Sequence, residues 1–257
     1  MFTKNIKDKQ FFRRIYTMSS NNLQFTKSGH IKINSIKNDS TSLVIYGSKG
    51  SLGSTVGLQF THKVNSMMYL PKYLEGIFVG ILLGDGWLQK SGESRNTRFA
   101  LKQGLINFEY TWYVFNLFSH YCQSTPSLRV TKLKTGNIHF GITISTRTLP
   151  CFNYYYNLFY LNGVKMTPVG RFSDFLTPEA LAHWIMCDGN FNQTGVVLNT
   201  QCFSFYEVEI LVKVLTDKYG FKVSSNRDHN NYVILFWKRS IPLLQSIVLP
   251  YMHPSML

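Results

Sequence analysis

Gly76-Ile-Phe-Val-Gly-Ile-Leu-Leu-Gly-Asp85-Gly86 and Glu179-Ala-Leu-Ala-His-Trp-Ile-Met-Cys-Asp188-Gly189 end in the same dipeptide after a largely apolar run. Each predicts a buried helix that delivers one acidic residue to its C-terminal end, where Gly stops it. A helix C-terminus carries partial negative charge and exposed carbonyls, so a carboxylate is unfavourable there. Two such ends brought together would concentrate anionic oxygens, and a divalent cation is the natural remedy. A lone Asp-Gly is usually a cap or a turn. Two copies on matched apolar helices, 103 residues apart, point to a shared site and to one complete repeat.

In the first of these helices Gly76, Gly80 and Gly84 recur every four residues. Each glycine weakens a helix by ~1 kcal/mol relative to Ala. A stripe of small residues lets two helices approach closely, as in membrane packing. The expected partner is helix 178–188, with Ala182 and Cys187 as its small residues and His183 as a packed or hydrogen-bonded histidine.

The rest of the chain is organised by the same duplication. The first unit reads helix 72–85, strand 96–103, helix 107–122, strands 128–134 and 138–146, and helix 148–161. The second reads helix 178–188, strand 195–202, helix 205–219, strands 221–226 and 231–237, and helix 240–249. Thr177 with Pro178 marks a helix start, and Ser204 with Glu207 has capping-box spacing. The expected organisation is a basic extension and linker over 1–65, a first repeat over 66–169 and a second over 170–257. Residues 1–20 are basic with apolar spacing, which fits an import presequence or a basic arm, and residues 19–42 read as a flexible linker.

Hydrophobic residues make up 44% of the 257, enough for a real core, and there is no apolar run long enough to span a membrane. Lys and Arg outnumber Asp and Glu by 27 to 13, so a polyanion partner is expected. That charge is uneven: residues 1–65 carry net +8, residues 66–169 net +6, and residues 170–257 net zero. The second half cannot hold nucleic acid by bulk electrostatics alone. Cys122, Cys151, Cys187 and Cys202 lack metal-ligand spacing, and all but Cys151 lie in apolar patterns that predict buried free thiols.

Strand 138–147 alternates cleanly, with Ile138, Phe140, Ile142 and Ile144 on one side and His139, Thr143, Ser145 and Arg147 on the other. Arg98 and Lys102 share a face in strand 96–103. Half-buried strands with polar faces fit a sheet laid against DNA, where side chains read base edges. The candidate DNA contacts are Arg98, Lys102, Lys132, Lys134 and Arg147 in the first half, with Asn199, Gln201 and Arg227 in the second.

Phe78-Val-Gly-Ile-Leu-Leu-Gly-Asp85-Gly86 and Leu181-Ala-His-Trp-Ile-Met-Cys-Asp188-Gly189 resemble the two signature helices of LAGLIDADG homing endonucleases. Leu176-Thr-Pro-Glu, Val197-Leu-Asn-Thr-Gln201 and Leu249-Pro-Tyr-Met-His-Pro-Ser-Met256 resemble the single-chain, two-repeat branch encoded in fungal mitochondrial introns. The likeness covers Leu70 to Leu257, and faintly Leu43-Val-Ile-Tyr-Gly-Ser-Lys-Gly50. It implies an α/β (α+β) fold of two pseudo-symmetric αββα-type halves, helices mixed with antiparallel strands, forming a DNA-binding saddle. It also implies a monomer in the mitochondrial matrix.

The resemblance further implies that Asp85 and Asp188 hold Mg²⁺, assisted by the backbone carbonyls of Gly84 and Cys187. A peripheral lysine in each half would tune the water, and Lys165 matches the first of them. Gln103 and Gln201 resemble polar residues near that water network and could equally read bases, since Gln pairs bidentately with adenine. By pseudo-symmetry the second lysine should follow Pro254-Ser-Met-Leu257, where the chain stops; either the sequence is clipped there or the second half-site lacks the helper.

The expected activity is site-specific cleavage of double-stranded DNA at a long non-palindromic target, which promotes intron mobility. The alternative is a maturase that binds its own group I intron RNA, with or without residual endonuclease activity. A catalytically silent DNA-binding regulator is a third class. Retention of both aspartates favours the first, because RNA scaffolding does not require them.

Overall fold

A computed structural model of the chain describes residues 23–25, 31–33, 55–132, 136–168 and 170–257. Helices and antiparallel sheets alternate through it. Strands β1 (Leu23–Phe25) and β2 (Ile31–Ile33) pair with Leu23 opposite Ile33, inside the stretch expected to be a linker. The rest of the expected extension up to residue 54 lies outside the described residues.

The next elements are α1 (His62–Met67), α2 (Lys72–Leu83), β3 (Gly86–Lys90), β4 (Thr97–Gly104), α3 (Phe108–Phe118), β5 (Ser127–Lys132) and β6 (Ile138–Ser145). There follow α4 (Asn153–Phe159), β7 (Tyr160–Leu161), β8 (Val164–Lys165), α5 (Phe172–Phe175) and α6 (Pro178–Asp188). The chain closes with β9 (Gly189–Asn192), β10 (Gly195–Leu198), α7 (Phe205–Tyr219), β11 (Val223–Asp228), β12 (Asn231–Trp237) and α8 (Ile241–Val248). The two larger sheets have strand orders β3-β4-β6-β5 and β11-β12-β10-β9.

Compactness divides the chain otherwise than repetition does. Among the described residues, one unit takes those up to Phe60 and those within Ala100–Arg147; the other takes those within Thr61–Phe99 and Thr148–Leu257. In the first unit, α3 buries Tyr110, Val114 and Phe118, one residue per turn on a single stripe. Leu101 opposes Ile144 and Gln103 opposes Ile142 across β4 and β6, and these positions are buried. Ile138 shares the parity of Ile142 but extends past the core and is exposed.

The core of the second unit is aromatic. The Phe78 ring lies 5.0 Å from Phe99, 5.6 Å from Phe152 and 4.8 Å from Tyr155. Burying each such side chain contributes about 1.5–3 kcal/mol. The start signals hold: Thr177 accepts from Ala180 N at 3.1 Å with Pro178 behind it, and the Ser204–Glu207 capping box is reciprocal.

Two short strands that follow the Asp-Gly pairs directly, β3 and β9, were not foreseen, because the dipeptide reads as a stop. They explain its glycine. Gly189 has an extended backbone (φ −75°, ψ 137°), so it is not a left-handed cap. A Cβ there would meet Ile185 O at 2.5 Å, and one on Gly86 would meet Ile81 O at 2.8 Å. The strand starts so close to the last helical turn that no side chain fits.

Candidate functional site

The two signature helices α2 and α6 pack along the predicted glycine stripe. A Cβ on Gly80 would collide with the Ala180 carbonyl oxygen and lie 2.7 Å from His183 Cβ, and one on Gly84 would collide with Cys187 Cβ. The facing residues on α6 are therefore Ala180, His183 and Cys187, at spacings of three and four, and Ala182 is not among these contacts. Helix α2 ends at Leu83, so Asp85 sits in the turn beyond it, whereas Asp188 is the last residue of α6.

This packing brings the aspartates into electrostatic reach of each other. A Cβ placed on Gly84, next to Asp85, would lie 3.2 Å from Asp188 Oδ2. Burial pushes the Asp188 carboxyl up to about 7; the negative charge of Asp85 adds to that, and Lys165 opposes it. Asp188 is further fixed by Asn199, whose backbone N–H and Nδ2 both donate to the Asp188 carbonyl at 3.1 Å.

Lys165 arrives from a tight hairpin. Asn162 (φ 50°) and Gly163 (φ 80°) both take the left-handed conformation of a two-residue turn, and Tyr160 opposes Lys165 across it. The Asn-Gly pair was a legible hairpin signal inside what reads as a helix tail followed by a loop. The Nζ donates to Gly84 O at 3.0 Å and Gly86 O at 3.2 Å. Thr167 N, two residues on, donates to Glu207 Oε1 at 2.7 Å, which ties the hairpin to α7. Burial lowers the Lys165 pKa, against the raising influence of Cys202, Asp188, Cys187 and Asp85 in that order. Cys202 thus stands beside the site and is exposed, and Cys187 is half-buried, where both were expected buried. All four cysteines are free thiols.

The Asp85 and Asp188 carboxylates stand within electrostatic reach of each other, and the Gly84 carbonyl next to Asp85 is engaged by Lys165. Among the described residues no group of three His, Cys, Asp or Glu side chains could hold an ion. Hard oxygen donors limited to two carboxylates fit Mg²⁺, which keeps waters and takes further ligands from substrate phosphates. His183 is no candidate: burial, then His253, lowers its pKa to about 4, and it packs against Gly80.

The expected DNA contacts separate. Lys102 is exposed, with its stem over Gly141. Lys132 is exposed but opposes Ile138, on the side of Ile142 rather than of Lys102. Lys134 lies outside the described residues. Arg98 holds Gln89 Oε1 through Nε at 3.0 Å. Gln103 is 5% exposed and accepts from Asn107 Nδ2 at 2.8 Å, too deep to read a base. Gln201 donates to Asp228 Oδ2 at 3.0 Å, and the exposed Arg227 donates to His229 O at 3.1 Å.

Arg147 has a different job. Its guanidinium donates to Cys122 O, Thr55 O and Leu58 O at 2.6–2.8 Å and lies 4.1 Å from the Phe60 ring. It anchors residues 55–60 to its own unit, and the alternation that placed it on a polar face ends at Ser145. Arg129, opposite Gly141 and exposed, shares the face of Lys102 and was missed because it stands alone in its strand pattern.

Two helices packed through the glycines of one of them thus set two aspartates near each other at their ends, and each helix runs straight into an antiparallel sheet. Residues 75–244 match the LAGLIDADG DNA endonuclease family, and the chain belongs to that family. It is 33% identical to the cytochrome b mRNA maturase bI2 of Saccharomyces cerevisiae over 78% of this chain, and that match spans 51%, about half, of the yeast protein. A probable intron-encoded endonuclease 1 of Wickerhamomyces canadensis is 29% identical over 73% of this chain and 83% of its own length. Among solved structures, the homing endonuclease I-WcaI bound to its DNA recognition sequence superposes with a TM-score of 0.72 at 25% identity, covering 78% of this chain and 93% of that one.

Proposed function

We propose that this chain is a site-specific endonuclease that hydrolyses both strands of a long duplex target at one centre, using Asp85, Asp188 and Lys165. The observation that carries this is the convergence of two carboxylates and one fixed ammonium. Asp188 is pushed up to about 7 by burial and by Asp85 even though Lys165 opposes the shift, so negative charge outweighs positive charge at this point. Mg²⁺ held by Asp85 and Asp188, with the Gly84 and Cys187 carbonyls, would polarise a water and neutralise charge on the scissile phosphate.

The chain's own residues do the rest. Lys165, held by the Gly84 and Gly86 carbonyls on either side of Asp85, supplies a positive charge there and can orient a water or steady the leaving oxygen through Nζ. Asn199 keeps the end of α6, and so the Asp188 carboxylate, in place. Lys102, Arg129 and Arg98 meet phosphates or bases in the first half, and Asn199 and Gln201 are polar groups that face the target in the second; Lys132 and Arg227 point to the other side of their sheets. Two unlike halves in one chain remove the need for a palindromic site. The protein acts as a monomer in the mitochondrial matrix, where intron-encoded enzymes meet their DNA. No helix among the described residues is long and apolar enough to cross a membrane.

The test is incubation of the protein and Mg²⁺ with a duplex joining the exons that flank its reading frame. Linear product from the fused-exon DNA, absent with an intron-interrupted copy, is the expected result. The second reading, a splicing cofactor for group I intron RNA, is favoured by the similarity to the yeast maturase. Tight binding to the cognate intron RNA without any DNA cleavage would make it the primary one.

A further inference from the structure

The sheet β11-β12-β10-β9 has one face packed on α7 and an opposite, more open face, on which Val233 and Leu235 are buried at the centre while Asn190, Asn226 and Trp237 are exposed around them. On the covered side Ser225 bonds Glu209 of α7, and the Tyr232 ring lies 4.7 Å from Phe205 of the same helix. The intervening positions project the other way. The register sets Asn190 opposite Val197, Val197 opposite Leu235, and Leu235 opposite Ser224, with Asn226 and Trp237 flanking that row.

The chemistry of this open face is unusual for a nucleic-acid surface. None of its strand positions is Lys or Arg, although Lys222, Lys238 and Arg239 stand exposed at the end beside Trp237. Its one acid, Asp228, is occupied by Gln201 and His229. The open side of the first unit's sheet instead carries Lys102 and Arg129.

Trp237 Nε1 donates to Ser224 Oγ at 3.1 Å, and Ser224 Oγ donates to Asn226 Oδ1 at 2.9 Å. That relay fixes which way the Asn226 carboxamide points. Asn190 is exposed on the edge strand.

Guanine presents two acceptors in the major groove and is read by Arg or Lys; adenine presents one donor and one acceptor, which match a carboxamide, and thymine presents a methyl group. We infer that the open face of this sheet reads an A·T-rich half-site, with Asn190 and Asn226 pairing to adenines and Val197 and Trp237 packing on thymine methyls, while the flanking Lys222, Lys238 and Arg239 hold phosphates. The inference rests on the DNA-cleaving reading. It also accounts for a half of the chain with no net charge: specificity here comes from base edges, and charge is confined to the rim.

The test is selection of binding sites from a randomised duplex library in Ca²⁺, by the full-length protein and by Asn190→Ala, Asn226→Ala and Trp237→Phe. Positions whose preference relaxes in the variants mark the half-site of this sheet. These should be A·T in the wild-type selection, with each Asn substitution lowering discrimination about 5- to 100-fold at one position. Circular dichroism melts should be unchanged, because both asparagines are exposed. Relaxed positions that are G·C would overturn the inference, as would a uniform loss of affinity without relaxation. Failure of the wild type to enrich any duplex would overturn the DNA reading itself, and the inference with it.

Discussion

Lys165 Nζ is bonded to the carbonyl of Gly84 at 3.0 Å, the residue immediately before Asp85, and its second bond reaches Gly86, the residue immediately after. The ammonium therefore straddles the turn that presents the first carboxylate. Lys165→Met removes the charge and both bonds while keeping most of the unbranched stem. Single-turnover cleavage should slow by about 10²- to 10⁴-fold, the range for a lost acid–base group. Affinity for the duplex should change little. A cleavage rate within twofold of wild type would remove Lys165 from the chemistry.

Gly80→Ala tests the packing of the two helices. In an exposed helix the change would stabilise by ~1 kcal/mol. Here the new methyl meets the Ala180 carbonyl, a backbone atom that cannot swing aside. The expected sign is reversed, a loss of about 1–3 kcal/mol or more from overpacking. Urea denaturation measures it, and a raised midpoint would mean that the helices do not touch at Gly80.

Arg147 and the Lys102–Arg129 face should behave oppositely. Arg147→Met removes the guanidinium bonds to Cys122 O, Leu58 O and Thr55 O, of which Thr55 O keeps the Leu58 N–H at 3.1 Å, and each carbonyl left unsatisfied costs about 1–3 kcal/mol. It should lower the melting temperature and leave the salt dependence of DNA binding unchanged. Lys102→Gln and Arg129→Gln should leave stability intact and flatten that dependence by about 0.9 in log–log slope for each phosphate no longer neutralised. Slope and melting temperature moving together in either set would contradict this division.

A buried histidine and a half-buried aspartate give the metal-free protein opposed pH dependences. His183 has a folded pKa of about 4 against an ordinary 6.5, so the unfolded chain binds the proton first and stability falls as pH drops through that interval. Asp188 has a folded pKa of about 7 against 3.8, so the folded chain binds the extra proton and stability falls as pH rises across that interval. In the wild type the two largely offset. Asp188→Asn removes the second, so in EDTA its stability should climb steeply from about pH 4 to 6.5 and exceed the wild type at pH 7 by on the order of a few kcal/mol. A parallel pair of stability–pH curves would show that burial and Asp85 together do not raise the Asp188 pKa.

The paired helices, the Thr177 cap and the placement of the two aspartates were legible because period, punctuation and repetition agreed there. Strands β3 and β9 were not. Each is a short edge strand that begins where Gly is read as a stop, and β9 is exposed throughout, so no alternation reveals it. The position of Arg147 depended on a strand ending one turn of alternation early, which only the backbone decides. Gln103 shows the same limit: its parity with buried Leu101 was visible, but its polar character outweighed it. Arg129 and Asn226 acquire meaning only from cross-strand register, and register is not written in one strand.

Asp85→Asn and Asp188→Asn test the central claim most directly. Each removes one carboxylate charge and almost no surface that could touch DNA, so folding and duplex binding should persist. The measurement is double-strand cleavage of a plasmid bearing the fused-exon target, with Mg²⁺, for wild type and both variants, alongside binding in Ca²⁺. The account predicts linear product from the wild type, none from either variant, and binding within a few-fold for all three. Full cleavage by Asp188→Asn would contradict a shared centre.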